Sequence, residues 1–230
     1  MEQNRLPVTI QQVVDYLNFY VNKVTNAFLT IDESIEAIDR GQMAYYSDLK
    51  TRYATSQYIK DALSPFLRTA NINGTVSGLV TINDVDYLDL LDMQIFYDIS
   101  NRRVYAPIKM VNEDERANRL NSQRDPVTVT SPIGQQIGLR SFKLYPVSSY
   151  NGNATYFRRP AKPVFGYSVI SGRVVVYNPL TSTQLEWGEQ HINPIIIKAL
   201  ATLGINLNDA DIANYATEAA QRNYTGINRV

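Results

Sequence analysis

Residues 71–111 read NINGTVSGLVTINDVDYLDLLDMQIFYDISNRRVYAPIKMV, and this stretch decides the fold class. Asn73-Gly74, Ser77-Gly78 and Asn83-Asp84 divide it into short runs rich in β-branched residues. Such dipeptides mark turns, and such runs suit strands. Two strands are expected near Asp92–Tyr97 and Arg103–Met110. They flank the turn sequence Asp98-Ile99-Ser100-Asn101 and pair as a hairpin.

The texture upstream is helical. In residues 7–31, PVTIQQVVDYLNFYVNKVTNAFLTI, the residues Ile10, Val13, Val14, Leu17, Val21, Val24 and Phe28 recur at three- and four-residue steps and make one apolar stripe. Thr9 with Gln12 has the spacing of a capping box, and Thr30 with Glu33 repeats it. The second helix is expected to stop at Gly41. A third runs through residues 43–66, MAYYSDLKTRYATSQYIKDALSPF, and ends by Pro65. Tyr45, Leu49, Tyr53, Ile59 and Leu63 lie along one side of it.

Downstream, residues 112–120 (NEDERANRL) form a short polar helix or turn. Strands follow at about Gln136–Tyr145, Ala154–Arg158, Val164–Ile170 and Arg173–Asn178, the last two turning at Ser171-Gly172. A short strand lies in STQLEW, residues 182–187. Helix returns in residues 189–205, EQHINPIIIKALATLGI, where Pro194 fits only in the first turn and Gly204 terminates. A final helix over residues 206–224 is capped by Asn208 or Asp209. The fold class is α+β. A helical hairpin or bundle spans residues 1–70, a mixed β region residues 71–188, and C-terminal helices with a docking tail residues 189–230; the three can also intertwine as one domain.

Composition narrows the function. At 230 residues, with 44% hydrophobic and 19% charged residues, the chain is an ordinary globular sequence with a real core. Lys plus Arg number 22, as do Asp plus Glu. The totals therefore hold no basic excess of the kind that grips nucleic acid through its phosphates. A neutral surface gives little colloidal repulsion, which suits an assembling subunit. There is no cysteine, so disulfides, thiolate metal sites and cysteine nucleophiles are excluded. No apolar run approaches the roughly 20 residues of a membrane helix, and MEQNRLPVTIQQ does not read as a signal peptide. A soluble, non-secreted protein is expected, and the sequons at Asn73, Asn153 and Asn223 read as chance matches. Tyrosine stands out at 16 residues, a residue equally suited to half-wet subunit contacts and to strand faces.

Chemistry-bearing patterns are sparse. His191 is the single histidine, reads as a surface residue at a helix start, and has no Gly-x-Ser-x-Gly elbow to serve. Asp84, Asp86, Asp89 and Asp92 are candidate acids for a glycosidase or a magnesium site. Their three-residue steps, however, read as a solvated helical face or turn. No phosphate-binding glycine loop occurs. Arg158 and Arg159, stiffened by Pro160 and Pro163, project from an extended strip suited to inter-subunit ion pairs, or alternatively to phosphates. Trp187 fits a domain core or, alternatively, a partner pocket. No cofactor and no metal is expected, and the chain does not read as an enzyme.

The order of TYFRRPAKP, a hairpin, STQLEW and LATLGINLNDADIANYA, preceded by DYLDLLDMQIFY, YAPIKMVNEDERANRL and FKLYPV, resembles structural proteins of tailed bacteriophages. It is most similar to the ring, or head-to-tail connector, proteins of short-tailed crAss-like phages. The resemblance covers about residues 86–220. It implies a virion structural protein of the tail or neck, assembled in the bacterial host cytoplasm as a homo-oligomeric ring of about twelve copies. The implied neighbours are the portal and adjoining tail proteins, with double-stranded DNA passing through unbound and no membrane contact. It implies no catalytic residue. Candidate subunit-interface residues are Tyr156, Arg158, Arg159, Pro160, Pro163, Trp187 and, in the tail RNYTGINRV, Tyr224. The rival expectations are a receptor-binding or adhesion module and a carboxylate-dependent hydrolase.

Overall fold

Two threonines start the first two helices by the same device. In the computed structural model, which describes residues 8–73, 77–99, 102–148, 150–170 and 174–205, Thr9 Oγ1 accepts from the Gln12 backbone N–H while Gln12 Oε1 accepts from the Thr9 N–H. Thr30 and Glu33 repeat the exchange at 3.3 and 2.8 Å. Two orphan N–H groups are thereby satisfied at each helix start. Helix α1 (Ile10–Thr25) buries Ile10, Val13, Val14, Leu17 and Val21 as expected. It stops at Asn26, which takes the left-handed conformation at φ 56°, so Val24 and Phe28 lie exposed instead of extending the stripe.

Helix α2 (Ile31–Thr51) runs straight through Gly41, where a stop was expected. The break comes later, at residues 52–56, before the short helix α3 (Gln57–Leu63). Strand β1 (Leu67–Asn73) follows, begun inside the stretch read as helical, then β2 (Leu79–Thr81), β3 (Tyr87–Ile99), β4 (Arg102–Pro107) and β5 (Lys109–Met110). The polar helix α4 (Glu113–Leu120) is capped by Asn112, whose side chain accepts from the Glu115 N–H at 2.8 Å. Strands β6 (Ile133–Gln136) and β7 (Ser141–Tyr145) replace one expected strand, because the chain reverses at Gly138 through backbone bonds to Ser141. Strand β8 (Asn151–Arg158) precedes the hairpin of β9 (Tyr167–Ile170) and β10 (Val174–Tyr177). The strand expected in residues 182–187 reduces to a single bridge between Thr183 and Val164. Helix α5 (Ile192–Thr202) closes the described chain. Gly204, at φ 79°, lets its own N–H reach Ala201 O and the Ile205 N–H reach Leu200 O, the paired C-terminal bonds of a Schellman motif.

The chain folds as two compact units: residues up to Pro65 together with those from Pro160, and Phe66–Arg159. The helices at the two ends of the chain thus belong to one unit, where the sequence boundaries fell at 70/71 and 188/189. In the helical unit, α1, α2 and α5 pack Ile10, Leu17, Ile38, Tyr46, Ile195 and Ala199 into a dry core. Gly41 is required by that packing. A Cβ there would sit 2.7 Å from both Ala199 N and Ile195 O, so α2 and α5 cross backbone against backbone.

The β unit holds two four-stranded sheets, ordered β1-β8-β3-β4 and β2-β7-β6-β5. Its core includes Ile72, Val80, Met93, Ile95, Phe142, Leu144 and Ala154. Strand β3 carries two bulges against β8: Asp89 faces Phe157 and Asp92 faces Thr155, with Leu88 and Leu91 as extra residues. Each bulge adds one residue to the two-residue period of a strand. Asp89 and Asp92 therefore share one face, while Tyr87, Leu90 and Met93 share the other. This corrects the helical reading of that acidic run.

Candidate interaction site

The opening of α5 brings together the groups that reading for chemistry had singled out. His191 is buried rather than exposed, 3% accessible, which corrects its expected place on the surface. Its Nδ1 lies 3.0 Å from the Tyr45 hydroxyl, and its ring sits among Trp187, Tyr45 and Tyr58 at centroid distances of 5.7, 5.9 and 5.7 Å. Burial holds the imidazole below its ordinary value and pushes the Tyr45 hydroxyl up to about 12. Both groups are thus kept neutral near pH 7. Trp187 lies in the same interior, its indole N–H donating to Gln42 Oε1 at 3.4 Å. The amide of Gln42 in turn donates to Asp39 Oδ1 at 2.8 Å and to Ala161 O at 3.0 Å. This is a satisfied polar network inside an aromatic core.

The proline strip is held by the same network. Pro160 and Pro163 are buried. The Ala161 N–H donates to Glu186 at 2.9 Å, and Lys162 reaches Glu36 at 3.3 Å. Residues 160–163 are therefore tied to their own helical unit along most of their length, rather than standing off as an arm. In the β unit, Arg159 is exposed and Arg158 half-buried, its guanidinium 5.5 Å from the Phe66 ring centroid. Tyr156 is buried, donating to Asp84 Oδ2 at 2.6 Å. That bond and the Asp86 N–H hold the Asp84 carboxyl below its usual range. Asp84 thus has a structural task. Among the described residues, no three His, Cys, Asp or Glu side chains gather as a metal site, and no helix is long and apolar enough to cross a membrane. Tyr224, the tail and the final helix lie outside the described residues.

Two surfaces emerge that the sequence reading did not single out as interaction sites. The first is the β9–β10 hairpin, a sheet of only two strands. Every residue of β9 is exposed, and so are Val175 and Val176 of β10. The pairing puts Tyr167, Val169 and Val175 on one face and Ile170 and Val176 on the other, so both faces are apolar and both meet solvent. Between Lys162 and Glu186 the sequence holds one charged residue, Arg173. The expected hairpin was read without its exposure, and that depletion of charge marks it as an apolar ribbon.

The second feature is a groove of about 660 Å³ in the β unit. One wall is the bulged half of β3, with Asp89, Leu91 and Asp92 exposed. The floor includes Ile108 and Met110, and the facing wall carries Glu113, which is engaged by Arg116 and by the Gln135 amide. Strand β4 pairs only with Gln94–Ile99. The last bond on that side runs from the Ile108 N–H to Met93 O at 2.8 Å. Among the described residues, no strand pairs with Tyr87–Asp92 along this edge. No protein-family model matches the chain, and no curated protein is significantly similar to it.

Proposed function

We propose that the chain is a non-enzymatic virion structural protein, one subunit of a ring in the portal–tail connector of a short-tailed bacteriophage. The hairpin carries this reading. Two-stranded ribbons are marginal in water on their own, and a long, uncharged apolar edge pairs readily with other chains. Burying a fully exposed valine or isoleucine contributes about 1.5–3 kcal/mol, and each half-covered one in the hairpin has about half of that still to gain. A monomer gains nothing from leaving four such groups, Val169, Ile170, Val175 and Val176, wet, whereas a subunit buries them against its neighbours. The neutral overall charge and the resemblance over residues 86–220 point the same way. In this reading about twelve copies close around the DNA passage, each using two different faces, as a heterologous ring requires.

Light scattering on a sizing column with negative-stain imaging tests it, on the purified chain alone and mixed with the portal. Closed rings with a central hole are expected under one of the two conditions. A protein that stays monomeric under both overturns the proposal.

A further inference from the structure

We propose that the groove beside β3 receives the β9–β10 hairpin of a second copy of this chain. The contact is a strand addition, in which an outer hairpin strand pairs along the open Tyr87–Asp92 edge. The inference deepens the assembly reading above and rests on it.

Three observations make the two surfaces partners. First, both are open edges. The β3 edge is six residues long, about 20 Å at 3.3 Å per residue, and the four-residue hairpin strands fit within it. Nothing on β9 blocks pairing: Tyr167, Ser168, Val169 and Ile170 include neither a charge nor a proline, the usual protections of an edge. Second, the side chains match. Leu91, thrust outward by its bulge, and Met110 on the floor offer apolar surface to Val175 and Ile170. Third, the signs of charge match. Asp89 and Asp92 stand on the groove wall, whereas the hairpin sequence holds no acid and one arginine. The two surfaces differ, so the contact is heterologous. It leaves a bound pair with a free hairpin on one copy and a free groove on the other, which is how a ring propagates and closes.

Complementation between two blocked variants of the full chain provides the test. Val175→Asp, with Val169→Asp as a second hairpin variant, sets an acid against the acidic groove wall; Leu91→Asp removes the wall's apolar contact and adds an acid to it. All three positions are exposed, and circular dichroism with the thermal midpoint selects the variants that fold like wild type. Masses are then read by sedimentation velocity. Wild type should self-associate, and each blocked variant alone should associate at least about tenfold more weakly. Mixed in equal amounts, the two should form a one-to-one pair that grows no further, because each supplies one intact face.

A wild type that never self-associates overturns the inference. So does a mixture that stays monomeric, or either variant assembling as wild type does. The ring reading is judged separately. One-to-one pairing beside a wild type that grows into open chains keeps this contact and removes the ring. Closed rings formed undiminished by Val175→Asp remove this contact and keep the ring.

Discussion

Ile195 and Ile170 are the same residue in the same unit with opposite fates. Ile195 lies on α5, 0% accessible, where α2 and α5 approach so closely that Gly41 has no room for a methyl group. Ile170 lies on β9, 52% accessible, on the hairpin face it shares with the exposed Val176. The crossing is apolar surface that the chain has already buried. The hairpin is apolar surface that the chain leaves open. Stability therefore resides in the first and association in the second, and substitutions should separate the two.

The largest expected effect tests this directly. Ile195→Ala should cost about 2–5 kcal/mol of folding stability, since it deletes a buried side chain from a packed core. Ile170→Ala should change stability by no more than about 0.5 kcal/mol while weakening assembly. Urea denaturation of both variants, followed by sizing, reads the contrast. Equal losses of stability would dissolve the distinction between the two regions.

Gly41→Ala comes next and isolates the crossing itself. Alanine favours a helix interior over glycine by about 1 kcal/mol, so propensity alone predicts a gain. The added Cβ would meet main-chain atoms of α5 at 2.7 Å, and backbone cannot rotate away as a side chain can. Overpacking of this kind costs about 1–3 kcal/mol. A net loss in the denaturation midpoint is expected, and a gain would mean that α2 and α5 part easily.

These contrasts also show what the sequence can disclose. The capping pairs Thr9–Gln12 and Thr30–Glu33, the Gly204 terminator and the β3–β4 hairpin were legible because each is written within a few consecutive residues. Gly41 was misread as a stop because its reason, the backbone of Ile195 and Ala199, lies more than 150 residues away in sequence. The acidic run was misread because two bulges give a strand the three-residue step of a helix face. His191 was placed on the surface because its neighbours in sequence are polar, whereas its neighbours in space are Tyr45, Tyr58 and Trp187. The hairpin strands were expected, but their exposure was not, since pattern says which residues are apolar and not whether the chain covers them.

The pH dependence of the helical core gives a smaller effect with a definite sign. Burial lowers the affinity of His191 for a proton in the folded state. Its contribution is thus complete above the ordinary value of about 6.5 and erodes as pH falls below it, where the unfolded chain takes up the proton first. The groups facing the ring are the Tyr45 hydroxyl, the Tyr58 ring, the Trp187 indole and the Gln190 amide. None of them is an acid that would stabilise an imidazolium. Stability should fall from about pH 6.5 toward pH 5.5 by at most about 1.4 kcal/mol per pH unit. His191→Gln should flatten that limb, and a limb of unchanged slope would assign it elsewhere.

The smallest effect probes the β unit, where Tyr156 reaches Asp84. Tyr156→Phe keeps the buried ring and removes one hydrogen bond to the half-buried Asp84 carboxylate, so the loss at neutral pH should be about 1 kcal/mol. The bond also holds the Asp84 carboxyl below its usual range. Its contribution is therefore present above about pH 4 and is lost as pH falls through the lowered value in the folded protein. Wild type and variant should differ at pH 7 and converge in acid. Denaturation curves at the two pH values read the difference. A gap that persists in strong acid would show that the hydroxyl serves the packing of the sheet rather than the charge of Asp84.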